Sequence, residues 1–321
     1  MRTDLVGRTR SVLEQAGFAL SDPHALRPAT FDLVARRENT LLLVKVFTNA
    51  DSLGEDLADE LRMLAGLLDA APLLLGERSS AGPLEDGVLY VRHRVPVVTL
   101  GTLEGALVRD EPPLVYAAPG GYYVNLDGMA LRALREARRV SLGQLAEVAG
   151  VSRRAIAMYE EGMSALVEVA ERLEEFFQEP VARPVDVFQR SEPRETPELD
   201  PSKLREALLR EVLGRLCEIG YKVAVTQRAP FQAVSQDAAH KTLFLTGVAD
   251  LEQGMAERAR MMQSIASVVE REVAIFVRDR RSREDLQGLA LIDQRELARM
   301  DESEQVLALI RERTRPARPG D

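Results

Sequence analysis

The sequence predicts two α/β domains with an all-α helix-turn-helix module between them. Three observations predict it. An order of elements near the N-terminus recurs near the C-terminus, a set of helix start and stop signals is packed into residues 127–162, and a Pro- and charge-rich stretch runs from Pro180 to Pro201. The expected divisions are an α/β domain over 1–115, the helical module over 116–180, a linker over 181–202 and a second α/β domain over 203–315. A chain of 321 residues, 45% of them hydrophobic, is long enough for that many cores.

In the first unit a helix from Leu5 to Ala16 stops at Gly17-Phe18, and PATFDLVARRENTLLLVKVF then reads as strand, turn and strand. A helix around Glu55 to Leu68, a strand at Pro72 to Leu75 and the run VPVVTLGTLEGAL follow. In the last unit a helix from Leu204 to Ile219 stops at Gly220-Tyr221, and APFQAVSQDAAHKTLFLTGV, a helix around Gln253 to Val269, a strand at Val273 to Arg278 and GLALIDQRELARM repeat the order. Phe31-Asp32-Leu33-Val34 aligns with Phe231-Gln232-Ala233-Val234, and Leu61-Arg62-Met63-Leu64 with Ala259-Arg260-Met261-Met262.

Between these units Ser141 and Gln144 form a capping box that opens a short helix, with Leu142, Leu145 and Val148 on one face. Ala146 is small where two helices cross. Gly150 breaks the pattern at a turn, Ser152 caps a second helix, and Gly162 ends it as a left-handed cap. Just upstream, Pro119-Gly120-Gly121-Tyr122-Tyr123-Val124 has neither the spacing nor the lysine of a phosphate loop and reads as a hairpin.

Composition excludes several classes. The net charge of -9 rules out a uniformly basic nucleic-acid coat, so any such binding needs a local patch and is salt-sensitive. The lone Cys217 excludes a disulfide framework within the chain and suits a reducing cytoplasm. His24, His93 and His240 lack metal spacing, and no metal or cofactor is expected. No stretch approaches the roughly 20 apolar residues of a membrane helix, and MRTDLVGRTR has no apolar signal core, so a cytoplasmic protein without a membrane partner is expected.

The segment LxxLAxxxGVSxxxIxxYExG, Leu142 to Gly162, resembles the Xre/Cro, or lambda-repressor-like, family. The resemblance implies that the helix after the GVS turn lies in the major groove of double-stranded DNA, with Ser152, Arg153, Arg154, Ala157 and Met158 facing base edges. Arginine can bridge guanine O6 and N7, which suits direct readout by Arg153 and Arg154. Ser141, Arg138 and Arg139 complete the expected DNA-binding set, the two arginines on phosphate, whereas Val151, Ile156 and Tyr159 should point into the core. The chain departs from the family at Leu142, where a phosphate-contacting glutamine is common, and after Gly162, where a basic loop is cut to Met163 and Ser164. Charge agrees with a two-sided module. Arg132, Arg135, Arg138, Arg139, Arg153 and Arg154 stand against Glu136 and Glu147, while past Glu160 six glutamates are opposed only by Arg172.

The repeat unit resembles the restriction-endonuclease-like fold, whose site combines an Asp at the start of one strand with an ExK triplet in the next. Asp32 and Lys45 have that spacing, but Leu43 stands where the second carboxylate belongs, and Glu38 falls in the turn. In the second copy Gln232 replaces the Asp and LFLTGV has no lysine, so both copies read as degenerate and no catalytic residue is assigned. Gly247 and Gly254, near Asp250, read as another loop, and Met255, Met261 and Met262 as core or partner-facing surface.

The complete arrangement resembles a family of archaeal helix-turn-helix transcriptional regulators, which implies a sequence-specific regulator binding DNA through residues 152–161 as a homodimer, with recognition helices about 34 Å apart. Two other classes stay open: a Mg²⁺-dependent nuclease with its own DNA-binding domain, and an adaptor that contacts the basal transcription machinery.

Overall fold

Gly17 and Gly220 end the opening helices of the two repeats, and their φ angles of 81° and 101° are the reason glycine stands at both. The computed structural model describes residues 2–22, 29–191, 198–239, 242–249, 255–279 and 285–314. The N-terminal repeat comprises helix α1 (Arg2–Gln15), strands β1 (Ala19–Leu20), β2 (Leu33–Arg37) and β3 (Thr40–Val46), helix α2 (Glu55–Leu68), strands β4 (Ala71–Leu75), β5 (Arg78–Ser79), β6 (Gly82–Pro83), β7 (Val88–Arg92) and β8 (Val95–Val98), and helix α3 (Leu100–Val108). The middle module has β9 (Val115–Ala118), β10 (Gly121–Leu126), α4 (Gly128–Ala137), α5 (Leu142–Ala149), α6 (Arg153–Glu160), β11 (Ala165–Leu166), α7 (Val167–Phe177) and β12 (Ala182–Arg183). The C-terminal repeat has α8 (Ala207–Glu218), β13 (Tyr221–Val225), β14 (Ala233–Asp237), β15 (Leu243–Val248), α9 (Met255–Val269), β16 (Glu272–Val277), β17 (Asp285–Leu286), β18 (Leu289–Asp293), α10 (Gln294–Leu297) and α11 (Ser303–Arg313). No helix among the described residues is long and apolar enough to cross a membrane.

These elements gather into two compact units whose division runs through the N-terminal repeat. One holds Met1–Gly17, Lys45–Ala58 and Pro72–Gln189, the other Phe18–Val44, Asp59–Ala71 and Arg190–Asp321.

In the first unit β4 lies parallel to β8, β8 antiparallel to β7, β7 parallel to β9, and β9 antiparallel to β10. Val88 and Leu89 pair with Val115 and Tyr116, so the boundary expected at 115/116 falls inside a shared sheet. The physical reason is that β7 would otherwise present an open edge of unpaired backbone groups. The expected linker also begins as structure. Ala182 and Arg183 pair with Leu126 and Asn125 of β10, and Val181 and Val187 are buried. Residues 192–197 lie outside the described residues.

In the second unit the C-terminal repeat forms a six-stranded sheet in the order β13-β14-β15-β16-β18-β17. β13, β14 and β15 are antiparallel neighbours, while β15, β16 and β18 run parallel. The parallel strands read LFLTGV, EVAIFV and LALID, near-continuous apolar runs, because both faces of such a sheet are covered. Leu213, Leu216, Phe244, Phe276, Ile292 and Ile310 make one core beneath α8 and α11.

The backbone bonds establish the register of the repeats. Asp32 N donates to Val44 O at 2.7 Å and Gln232 N to Thr246 O at 2.9 Å, so Lys45 corresponds to Gly247. Gly247 thus lies in β15 rather than in the loop expected for it, while Asp250 and Gly254 fall outside the described residues. A Cβ at Gly247 would stand 2.9 Å from Met262 Cε, so a thioether fills the space of the missing lysine.

Within the second unit, β2 and the latter part of α2 are tied to the C-terminal repeat by polar contacts at chain ends. Arg36 donates to the carbonyls of Val268 and Val269 at the end of α9, at 2.5 and 2.9 Å. Glu60 Oε1 accepts from Thr30 Oγ1 at 2.9 Å and from the amides of Gln227 and Arg228 at 2.9 and 3.1 Å. Its side chain is only 8% exposed, and removing it strands the part-buried Thr30 hydroxyl and Arg228 amide. Glu60→Ala is expected to destabilise the protein by about 2–4 kcal/mol, measured by urea unfolding; a midpoint equal to wild type would show that the contact contributes nothing.

Candidate nucleic-acid interface

The middle module is built from caps. Asp127 Oδ1 accepts from Ala130 N at 3.0 Å and starts α4. Ser141 Oγ accepts from Gln144 N at 3.2 Å while Gln144 Oε1 accepts from Ser141 N at 2.9 Å, the reciprocal box that the sequence predicts. Gly150, at φ 70°, turns the chain, and Ser152 Oγ accepts from Ala155 N at 3.1 Å to start α6. Gly162 follows α6 at φ 92°. Leu131, Leu145, Ala149, Ile156, Leu173 and Phe177 form the core with Tyr159, whose phenol pKa is raised by burial. Ile156 and Tyr159 point inward as expected, and Val151 packs beside them.

Arginine side chains hold the helices at fixed angles. Arg135 on α4 grips Glu160, the last residue of α6, with Nε 2.5 Å from Oε1 and Nη2 3.0 Å from Oε2. Both side chains are largely buried, at 14% and 9% exposure, and the Glu160 hydrogen bond holds the Arg135 pKa above its ordinary range. Gly128 lets α4 start against the same point, since a Cβ there would stand 2.5 Å from Glu160 O. Arg172 donates to Ala149 O at 2.8 Å, capping α5.

Arg138, expected on phosphate, is turned onto the C-terminal end of α7. It donates to the carbonyl oxygens of Phe176, at 3.1 Å, and Phe177, and its guanidinium lies 5.6 Å from the Phe177 ring centroid. A cation there satisfies the last carbonyls of α7 and complements the negative helix end. Arg132 pairs with Glu136 at 3.0 Å. The six-arginine patch read from the sequence is therefore reduced to Arg139, Arg153 and Arg154, all exposed and without a hydrogen bond or ion pair to a described residue.

Those three lie with the other expected residues around the exposed ends of two helices. Ser141 and Ser152 are exposed caps, Ala157 is half-buried, and Met158 is 37% exposed. Neither α5 nor α6 has an acidic residue in its first turn, so both positive helix ends are uncompensated by the chain. Arg154 and Met158, four apart, share one stripe of α6. The shortened loop after α6 leads into a strand instead of a basic wing: Leu166 pairs with Tyr123, and Ser164 Oγ donates to Asn125 Oδ1 at 2.9 Å. The glycine stretch before the module is the expected hairpin, with Gly120 and Gly121 at φ 102° and 144°. Sequence reasoning missed Met163, 37% exposed, whose amide donates to Met158 O at 3.0 Å, and it missed Gly143 under Arg153. Helix spacing alone signals neither.

The nuclease-like positions are closed. Asp32 and Lys45 are 4% and 2% exposed, Leu43 is fully buried, and Glu38 sits exposed in the β2–β3 turn at φ 51°. Lys45 Nζ lies 5.2 Å from the Phe47 ring centroid. Gln232 Oε1 accepts from Val248 N at 2.8 Å, a backbone-tying role in place of metal chemistry. No three His, Cys, Asp or Glu side chains among the described residues gather where they could hold a metal ion.

The fold and this face define a helix-turn-helix protein built on a nuclease-like scaffold. Residues 2–113 match the model of the PD-(D/E)XK superfamily domain, and residues 131–183 match that of the helix-turn-helix. The chain is 41% identical over 319 residues to a protein of Natronomonas pharaonis, covering 97% of this chain and 98% of the relative. It is 40% identical over 312 residues to one of Methanocella arvoryzae, covering 96% of each, and 41% identical over 322 residues to one of Halorubrum lacusprofundi, covering 98% of each. All three carry the name of an HTH-type transcriptional regulatory protein, and the chain belongs to this archaeal family. No solved structure matches it.

Removing one partner of the Arg135–Glu160 pair leaves a charge in a largely buried place. Arg135→Ala should therefore lower stability by about 3 kcal/mol, read as a drop in the thermal midpoint. A midpoint within a degree or so of wild type would mean that packing alone holds α6.

Proposed function

We propose that the protein is a sequence-specific DNA-binding transcriptional regulator that lays α6 in the major groove and acts as a homodimer without cutting DNA. The observation that carries the reading is the pair Arg153 and Arg154, exposed at the start of α6 and without a hydrogen bond or ion pair to a described residue, in a module where Arg135 and Arg138 hold helices and Arg132 pairs with Glu136. Two or three cations on one module give weak anchoring by themselves, and a two-fold arrangement with recognition helices roughly 34 Å apart would double it. The names of the relatives support regulation. Leu43 in one repeat, and Gln232 with Gly247 in the other, argue against cleavage, because metal-assisted hydrolysis by this fold needs carboxylates and a lysine together.

Selection of duplexes from random DNA at stated salt supplies the probe. On the selected duplex, Arg154→Ala should lose roughly 1–3 kcal/mol, with a smaller loss on random DNA, and light scattering should report two chains per duplex. Failure to enrich any duplex, or a lone chain on the enriched one, would move the reading to an adaptor that contacts the transcription machinery. In a separate assay with excess Mg²⁺ or Mn²⁺, supercoiled plasmid should stay intact. Nicking that vanishes in Asp32→Ala and Lys45→Ala would make the protein a nuclease.

A further inference from the structure

The second residue of α5 is a glycine that its helix does not require. Gly143 is absent from the glycines with positive φ, so its backbone is open to any residue, and glycine is the poorest helix former after proline. The space that its missing side chain leaves is taken by an arginine. A Cβ at Gly143 would stand 2.9 Å from Arg153 Nε, 3.1 Å from Nη2 and 3.2 Å from Cζ. The guanidinium of Arg153 thus lies across the first turn of α5, away from the outer stripe of α6 that carries Arg154 and Met158.

No described residue neutralises it there. The first turn of α5 has no acidic residue, and the side chains of Ser141 and Gln144 are engaged with the backbone amides of their capping box. Glu147, one turn further along α5, forms no ion pair with it, and Arg153 has no hydrogen bond to a described residue. A cation against the positive end of a helix is electrostatically unfavourable unless an anion joins them. The guanidinium fork matches a phosphate, which it can hold through two parallel N–H···O bonds.

We infer that Gly143 is a positioning residue that seats Arg153 across α5 so that its guanidinium binds a phosphate of the DNA backbone, leaving base reading to Arg154 and Met158. The inference rests on the DNA-binding reading proposed above. It divides two adjacent arginines by geometry: Arg154 and Met158 share the outer stripe, where arginine can bridge guanine and a thioether can meet the thymine methyl.

The test uses the full chain and a random-sequence duplex of about 30 base pairs, titrated across salt, beside thermal unfolding. Gly143→Ala should raise the thermal midpoint, because alanine is the better helix former, yet weaken binding about threefold to tenfold and reduce the salt slope by about one ion per chain. Arg153→Ala should show the same slope change and an equal loss on selected and random duplexes. The double variant should bind no worse than Arg153→Ala alone, since Gly143 acts only through that side chain. Arg153→Lys should keep the salt slope, since the charge remains, while losing part of the affinity equally on selected and random duplexes, since an ammonium cannot make the two parallel bonds of the guanidinium fork. Wild-type affinity in Gly143→Ala, additive losses in the double variant, or loss of selectivity in Arg153→Ala would each overturn the inference. Should Gly143→Ala fail to fold, the Arg153 variants decide alone. A wild-type chain that binds no random duplex at low salt would overturn the DNA-binding reading itself.

Discussion

The orientation of α6 depends on the ion pair between Arg135 and Glu160. α6 has eight residues, too few to stand as a helix in water, so its direction must come from its neighbours. The pair joins the last turn of α4 to the last residue of α6, and Gly128 brings the start of α4 against the same carbonyl. With the C-terminal end of α6 held and Ile156 and Tyr159 buried, its first turn and the stripe of Arg154 and Met158 are left outward. An exposed pair of the same kind would be screened and weak, whereas a largely buried one strongly penalises the loss of either partner.

The same economy of arginine separates holding from binding. Arg138 and Arg172 lie at the carbonyl ends of α7 and α5, where cations complement the helix dipole, and Arg132 is matched by Glu136. Arg139, Arg153 and Arg154 remain, exposed and without a hydrogen bond or ion pair to a described residue. In a chain with net charge -9, DNA affinity carried by a small patch of this kind would be readily suppressed by salt.

The two α/β repeats show how one scaffold accommodates different polar positions. Strand order and register survive in both copies, because they depend on apolar strands and backbone bonds. The polar positions changed by substitutions that keep the packing intact. Leu43 buries an apolar side chain where a metal carboxylate would be solvated, Gln232 ties to a backbone amide, and Gly247 yields its space to Met262. A fold is thus retained through changes at its polar positions.

Periodicity, caps and the repeat in the sequence were enough to place α2, α5, α6 and β16 to within a residue or so, because these signals act within a few residues. Ser141, Gly150, Ser152 and Gly162 each announced a helix end for the same local reason. The boundaries were less legible: β9 joins the sheet of β7, and Val181 belongs to the helical core, since pairing and burial depend on partners distant in the chain. Charge was the least legible of all. The sequence set Arg153 and Arg154 on bases and Arg138 with Arg139 on phosphate, and only the tertiary structure decided that Arg135 and Arg138 hold helices while Arg139, Arg153 and Arg154 have no hydrogen bond or ion pair to a described residue, because an arginine's role is set by whichever carboxylate or carbonyl the fold brings within 3 Å or so of its long side chain.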